Sequence, residues 1–254
     1  MTTIANSYLI CATPRSGSWL LCEALVNTSL AGMPGEYFWK GDEPGWYERW
    51  RVSTYQDYVA QAIQQGSTGN GVFGAKIMMG YFEDFVTKLR ATPQYHGRNV
   101  PVTQLLSETF PNLHYIWITR SNKVRQAVSF ERAVQSGVWA DNSGAPIDET
   151  KLSYRYEAID FHFQQFTLYD AGWQEFFSEN RISPFTVVYE DLVRNYEHTA
   201  LEILDYLGIS HPTTINFNER RMRKQANSHS EEWVSRYIEE KQKRTNMKLG
   251  YPFE

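Results

Sequence analysis

Apolar positions along the chain fall into two alternating patterns. Short, almost wholly apolar runs at Tyr8-Leu9-Ile10-Cys11-Ala12, Val72 to Met78, His114 to Thr119 and Phe185 to Tyr189 read as buried strands. Each is followed by a segment with helical spacing, and that alternation predicts a central parallel sheet flanked by helices, an α/β fold. After the first run comes the turn-forming stretch Thr13-Pro14-Arg15-Ser16-Gly17-Ser18, then the helix formers Trp19 to Val26, bounded by Asn27-Thr28-Ser29. Ser18 is the expected N-cap. Ile159, Phe163, Phe166, Trp173 and Phe177 recur at steps of three, four or seven, which marks a long amphipathic helix. Asp170 falls on that stripe and needs a partner. Leu192, Tyr196, Ile203 and Tyr206 form another stripe, closed by Gly208, and predict one further helix. Met33 to Arg51 and Ser136 to Ala145 are rich in Gly, Pro and aromatic residues without clear period, so loops or lids are expected there. No internal repeat or low-complexity linker breaks the chain, and residues 1–254 are expected to form a single domain.

Composition narrows the function classes. With 42% hydrophobic and 21% charged residues, 8 Trp, 16 Tyr and 14 Phe, the 254 residues lie far from the disordered corner and can bury a sizeable core. The net charge is -4, from 25 Lys+Arg and 29 Asp+Glu, so no global basic field draws in nucleic acid or an anionic membrane. Any anion site must be local. Cys11 and Cys22 match neither a disulfide framework nor a metal-ligand spacing and read as core residues. The six histidines, His96, His114, His162, His198, His211 and His229, are scattered without ligand spacing, so no metal is expected. There is no basic n-region at the start and no stretch near the ~18 consecutive apolar residues of a membrane span. A cytoplasmic protein is the expectation.

The strongest local signal is the loop after the first strand. A strand-to-helix turn presents free backbone N–H groups and the positive end of the helix dipole, which together receive a phosphate. Arg15 adds a fixed charge, Gly17 allows close backbone approach, and Ser16 and Ser18 offer hydroxyl donors. The competing reading is an ordinary strand-helix turn with a surface arginine. The loop is neither Gly-x4-Gly-Lys-Ser/Thr nor Gly-x-Gly-x-x-Gly, which weakens ATPase and dinucleotide readings. The strand His114 to Thr119 ends at Arg120, where a phosphoryl-transfer NTPase has a metal-holding Asp. Arg120 and Ser129, nine positions on, could hold a second phosphate; alternatively they form a cationic first turn with Ser129 bonded to its own helix.

These residues carry a family resemblance. The segment Pro14-Arg15-Ser16-Gly17-Ser18, with Trp19 opening the helix, is similar to the 5′-phosphosulfate loop of sulfotransferases, and Arg120 with Ser129 is similar to their 3′-phosphate motif. Four further segments resemble the bacterial trehalose 2-sulfotransferase family: Ala31-Gly32-Met33-Pro34-Gly35-Glu36-Tyr37-Phe38, Gly71-Val72-Phe73-Gly74-Ala75-Lys76, Gln126 to Gln135, and Ser230-Glu231-Glu232-Trp233-Val234 with Arg236-Tyr237. The resemblance runs from about Tyr8 to Tyr237. It implies a P-loop-like sulfotransferase fold and the donor 3′-phosphoadenosine-5′-phosphosulfate, which leaves adenosine 3′,5′-bisphosphate. It also implies a small carbohydrate acceptor, trehalose or a related glycoside, a metal-free reaction and a homodimer.

Sulfuryl transfer needs an activated hydroxyl, in-line geometry and stabilisation of the leaving phosphate. Many sulfotransferases carry a catalytic His two positions after a Lys resembling Lys76; this chain has Met78 there, and a thioether is no base. The resemblance instead assigns the base to Glu36, flanked by Tyr37, Phe38 and Trp39, whose apolar faces favour a raised pKa. The competing reading is an exposed loop glutamate. Arg15 and the loop amides would stabilise the leaving phosphate. Lys76, taken as strand-end, either contacts the sulfonate or reaches solvent. Tyr37, Phe38 and Trp39, together with Trp46, Tyr47 and Trp50, suit stacking on a sugar, or else simply pack. Arg223 and Lys224 match the basic segment that closes over the 3′-phosphate in sulfotransferases, against the alternative of a solvated helix face. Tyr189-Glu190-Asp191-Leu192 reads as a helix cap. A non-catalytic nucleotide- or anion-binding protein on the same fold is the alternative to the enzyme.

Overall fold

The four apolar runs form four strands, β1 (Asn6–Ala12), β2 (Val72–Met78), β3 (Leu113–Thr119) and β4 (Phe185–Val188). They pair in the order β2-β1-β3-β4, every neighbour parallel. Parallel strands need covered crossovers, and the connections are helices as the spacing requires. In the computed structural model the described residues are 4–139, 147–213, 215–217, 220–222 and 226–248. The helices are α1 (Ser18–Asn27), α2 (Glu43–Trp50), α3 (Tyr55–Gln65), α4 (Met79–Arg90), α5 (Val102–Thr109), α6 (Lys123–Ser136), α7 (Tyr156–Glu179), α8 (Tyr189–Arg194), α9 (Tyr196–Tyr206) and α10 (Ser228–Lys248).

Contacts group the chain into two compact units, Met1–Thr119 with Tyr169–Arg220, and Arg120–Leu168 with Arg221–Glu254. The first holds the whole sheet. Its core joins Leu9 and Cys11 of β1 to Phe73, Ala75 and Ile77 of β2 and to Phe38, Phe85, Phe110, Trp173 and Phe177. Trp173 is fully buried, and its indole N–H donates to the Ala12 carbonyl over 2.9 Å, pinning the C-terminal end of β1. Asp170, one helical turn earlier, accepts from the Thr119 hydroxyl at the end of β3, the partner its place on the apolar stripe demanded. Both cysteines are buried and unbridged.

The second unit has its own small core of Ala127, Val128, Tyr156, Ile159, Trp233, Val234 and Tyr237. Its charges are tied inward. Arg132, 4% exposed, makes a bidentate pair with Glu149, which also accepts from Asn227, while Glu131 accepts from Arg155, Gln135 and His162.

Several local expectations need correction. The loop expected over Met33 to Arg51 contains α2, whose Pro44 sits in the first turn and whose Trp46 and Trp50 stack at 4.7 Å. Tertiary packing against Tyr58 of α3, and not propensity, carries that helix. Ser18 begins α1; the cap is Gly17, in the left-handed region, with no side-chain bond. The single helix expected up to Gly208 is two, because Asn195 leaves helical geometry and serves both as end of α8 and start of α9. Tyr189 opens α8 after an uncapped Val188, so it is no cap residue. Lys76 lies inside the 7-residue β2 and is fully buried, which removes the solvent-reaching reading. The expected loop from Ser136 begins at the end of α6; residues 140–146 lie outside the described residues.

Trp173→Ala would leave a cavity and strip the Ala12 carbonyl of its donor, so a loss of about 3–5 kcal/mol is expected. Urea unfolding of the variant checks this, the expected signature being a lower midpoint.

Candidate functional site

The loop after β1 has a strained, open backbone. Arg15 has φ 59 and Gly17 φ 90, both left-handed, and the Ser16 amide turns back to the Thr13 carbonyl over 3.2 Å. A non-glycine residue held at positive φ costs of order 1–3 kcal/mol, a strain that persists where a loop must aim its groups. The first helical bond of α1 runs from the Leu21 amide to the Gly17 carbonyl, and no side chain caps the helix. Amides of the first turn therefore point outward with the positive end of the helix dipole. The buried Ser16 hydroxyl also lacks a hydrogen-bond partner among the described residues. That donor set, with Arg15 beside it, fits an anionic group of the phosphate class.

Gly17 is required twice. A Cβ there would meet the Tyr189 ring at 2.2 Å, so this tyrosine, at the junction of β4 and α8, packs directly on the loop.

The second cluster is built on β2. Gly35 forms a parallel bridge to Ala75, and the Lys76 amide donates to the Gly35 carbonyl over 2.8 Å, so the 33–37 segment lies along the outer edge of the sheet. This sets Glu36 beside Lys76. The Lys76 Nζ lies 2.6 Å from Glu36 Oε2, close enough for an ion pair although off the line of a well-directed hydrogen bond. The face of Trp19, from the first turn of α1, lies 3.7 Å from the same nitrogen, a cation–π contact. Tyr81 of α4 donates from its hydroxyl to Glu36 Oε1 over 3.0 Å. Burial first, then the Glu36 charge, push the Tyr81 phenol well above its usual range, and the Met78 backbone amide offsets part of that. Cys22, also near, is pushed up to about 12, mainly by burial, with Lys76 pulling it down and Glu36 up.

The loop and the ion pair thus meet through Trp19, which brings Pro14, Arg15, Ser16, Gly17, Ser18, Trp19, Glu36 and Lys76 into one region of the first unit. The arrangement offers anion donors, a buried cation, and a carboxylate whose side chain is 18% exposed and held on both oxygens. Of the expected aromatic contacts, Trp39 is 43% exposed. Phe38 is fully buried against Phe85 and Phe110, and Tyr37 is buried with its hydroxyl on the Met33 carbonyl, so both pack. Trp46, Tyr47 and Trp50 pack against the same core.

Arg120 and Ser129 belong to the second unit. Both are half-buried; the Arg120 carbonyl accepts from Lys123, and Ser129 lies within α6, capped at its start by the Asn122 side chain. Arg223 and Lys224 lie outside the described residues. Among the described residues, no three His, Cys, Asp or Glu side chains gather in the manner of a metal site, and no helix is long and apolar enough to cross a membrane.

The sequence reading leaves out Tyr81 and takes Tyr189 only as strand end and helix cap. Tyr81 sits at the head of the buried row Tyr81, Phe85 and Leu89, so its period marks it as core. Its only distinguishing signal is a position three residues after Met78, at the strand-helix corner.

The family model described as Stf0 sulphotransferase matches residues 7–240. Trehalose 2-sulfotransferase of Mycolicibacterium smegmatis is 29% identical, over 96% of this chain and 98% of that protein. Its counterpart from Mycobacterium tuberculosis strain Erdman is 28% identical, over 93% and 96%. Among solved structures, a sulfotransferase from Alicyclobacillus acidocaldarius aligns with TM-score 0.47 at 14% identity, covering 93% of each chain. The sulfotransferase domain of the Synechococcus PCC 7002 olefin synthase aligns with TM-score 0.43 at 14% identity, covering 91% of this chain and 84% of that one.

Gly17→Ala is expected to lower stability by about 1–3 kcal/mol through backbone strain and overlap with Tyr189. Adding Tyr189→Ala should recover the overlap part alone, so chemical unfolding of the single and double variants separates the two.

Proposed function

The chain belongs to the Stf0 sulphotransferase family, and we propose that it moves a sulfuryl group from 3′-phosphoadenosine-5′-phosphosulfate to a hydroxyl of trehalose or a related glycoside. The observation that carries the reading is the meeting of an uncapped helix N-terminus with the ion pair of buried Lys76 and partly exposed Glu36. When bound, the donor supplies an electrophilic sulfur on a phosphate leaving group. The residues Pro14 to Trp19 would hold its 5′-phosphate, the loop amides and Arg15 stabilising the charge released there, about 3 kcal/mol per good donor. Glu36 takes the proton of the attacking hydroxyl, within reach of an acceptor because its carboxylate is partly exposed. Lys76 holds that carboxylate and sets a positive charge beside the transferring group.

Trp39, three positions after Glu36 and exposed, is the aromatic surface best suited to an acceptor sugar. Names of the relatives support trehalose as that acceptor. The family resemblance also assigns Arg120, Ser129, Arg223 and Lys224 to the 3′-phosphate. The family match runs through both compact units, which supports reading residues 1–254 as one sulfotransferase domain. A cytoplasmic homodimer completes the proposal.

Incubation with labelled donor and a panel of sugars in EDTA should give a sulfated glycoside. Donor binding without product would instead mark a non-catalytic binder. Glu36→Gln should keep the affinity for adenosine 3′,5′-bisphosphate, read by calorimetry, and lose at least about 10²-fold in kcat. Unchanged turnover would remove Glu36 as base.

A further inference from the structure

Glu36 has three rotatable side-chain bonds and stands on a loop, yet a base must meet its proton within hydrogen-bond reach and in a fixed direction. Two groups restrain it, an ion-pair partner at one oxygen and a hydrogen-bond donor at the other. Lys76 Nζ approaches Oε2 at 2.6 Å and the Tyr81 hydroxyl approaches Oε1 at 3.0 Å. Both come from one corner of the fold, since α4 begins directly after β2 and Met78 is its cap position. The same helix holds the other end of the segment, because Lys88 donates to Glu43 at the start of α2 over 2.7 Å.

Three other tyrosines of this unit use their hydroxyls differently. Tyr8, Tyr37 and Tyr206 donate to the backbone carbonyls of Ala31, Met33 and Tyr115, a purely structural use. Tyr81 donates instead to a partly exposed carboxylate. It is 8% exposed, and burial with the neighbouring Glu36 charge keeps its phenol protonated, so toward Glu36 it acts as a donor and takes no proton.

We infer that Tyr81 is a positioning residue, which with Lys76 fixes the plane of the Glu36 carboxylate so that its remaining lone pairs face the acceptor hydroxyl. The inference rests on the reading of Glu36 as base. It assigns Tyr81 no contact with substrate and no step in the transfer itself.

The test compares Tyr81→Phe in the wild-type and Glu36→Gln backgrounds, using radiolabelled donor to follow the residual turnover of the slow variants. In the wild-type background kcat should fall at least tenfold, while the acceptor KM and the affinity for adenosine 3′,5′-bisphosphate stay within twofold. In the Glu36→Gln background the same substitution should change turnover by less than twofold, because no base is left to position. Wild-type kcat in Tyr81→Phe overturns the inference, as does an equal loss in both backgrounds, or loss of a cooperative melt, each of which marks a merely structural hydroxyl. Full activity in Glu36→Gln alone brings down the base assignment first, and the inference with it.

Discussion

The site depends on a charge pair placed where charges are costly. Lys76 is fully buried, and an ammonium removed from water carries a penalty of several kcal/mol that only well-placed partners offset. Here the partners are a carboxylate at 2.6 Å and an indole face at 3.7 Å. Each belongs to a different element, and each arrives only if the fold is formed: Glu36 through the bridge to β2, Trp19 through the first turn of α1. Losing either leaves a buried cation short of compensation. The pair therefore couples the chemistry of the site to the register of the sheet edge.

That register follows from the strand order. β2 is one of the two outer strands, and an outer strand leaves backbone groups unpaired. Gly35 covers part of that edge, and the same contact delivers Glu36. On the other side of β2, Ile10 of β1 lies opposite Lys76, and β1 runs straight on into the loop Thr13 to Ser18. Two neighbouring strands thus place the anion donors and the carboxylate in one region. Trp173 adds to this by fixing the last carbonyl of β1 from α7.

Much of the architecture is legible in the chain. The four apolar runs, the long α7 stripe and the loop Thr13 to Ser18 stand where the pattern puts them, and for β1 and β2 burial on both faces leaves a continuous apolar run. α2 is not legible: Pro44 and Gly45 speak against a helix, and only the aromatic packing on α3 overrides them. Lys76 is misleading in the opposite sense. A lysine near the end of a strand normally reaches water, and nothing in its neighbours announces the acidic partner 40 positions earlier. Tyr81 and Tyr189 act through a hydroxyl and a ring edge on residues distant in sequence, so period assigns them to core or cap and leaves their contacts unseen. The loop Thr13 to Ser18 lies within one compact unit, whereas Arg120 and Ser129 stand in the other.

The two thiols have a practical consequence. Cys11 in β1 and Cys22 in α1 bracket the anion loop on both sides, and both are buried with raised ionisation ranges. A thiolate, not a thiol, reacts with alkylating reagents and oxidants, so neither sulfur reacts readily in the closed fold. The protein thereby carries its own gauge: the rate at which these sulfurs become modified reports how often the strand and helix around the loop part, without any label being engineered in.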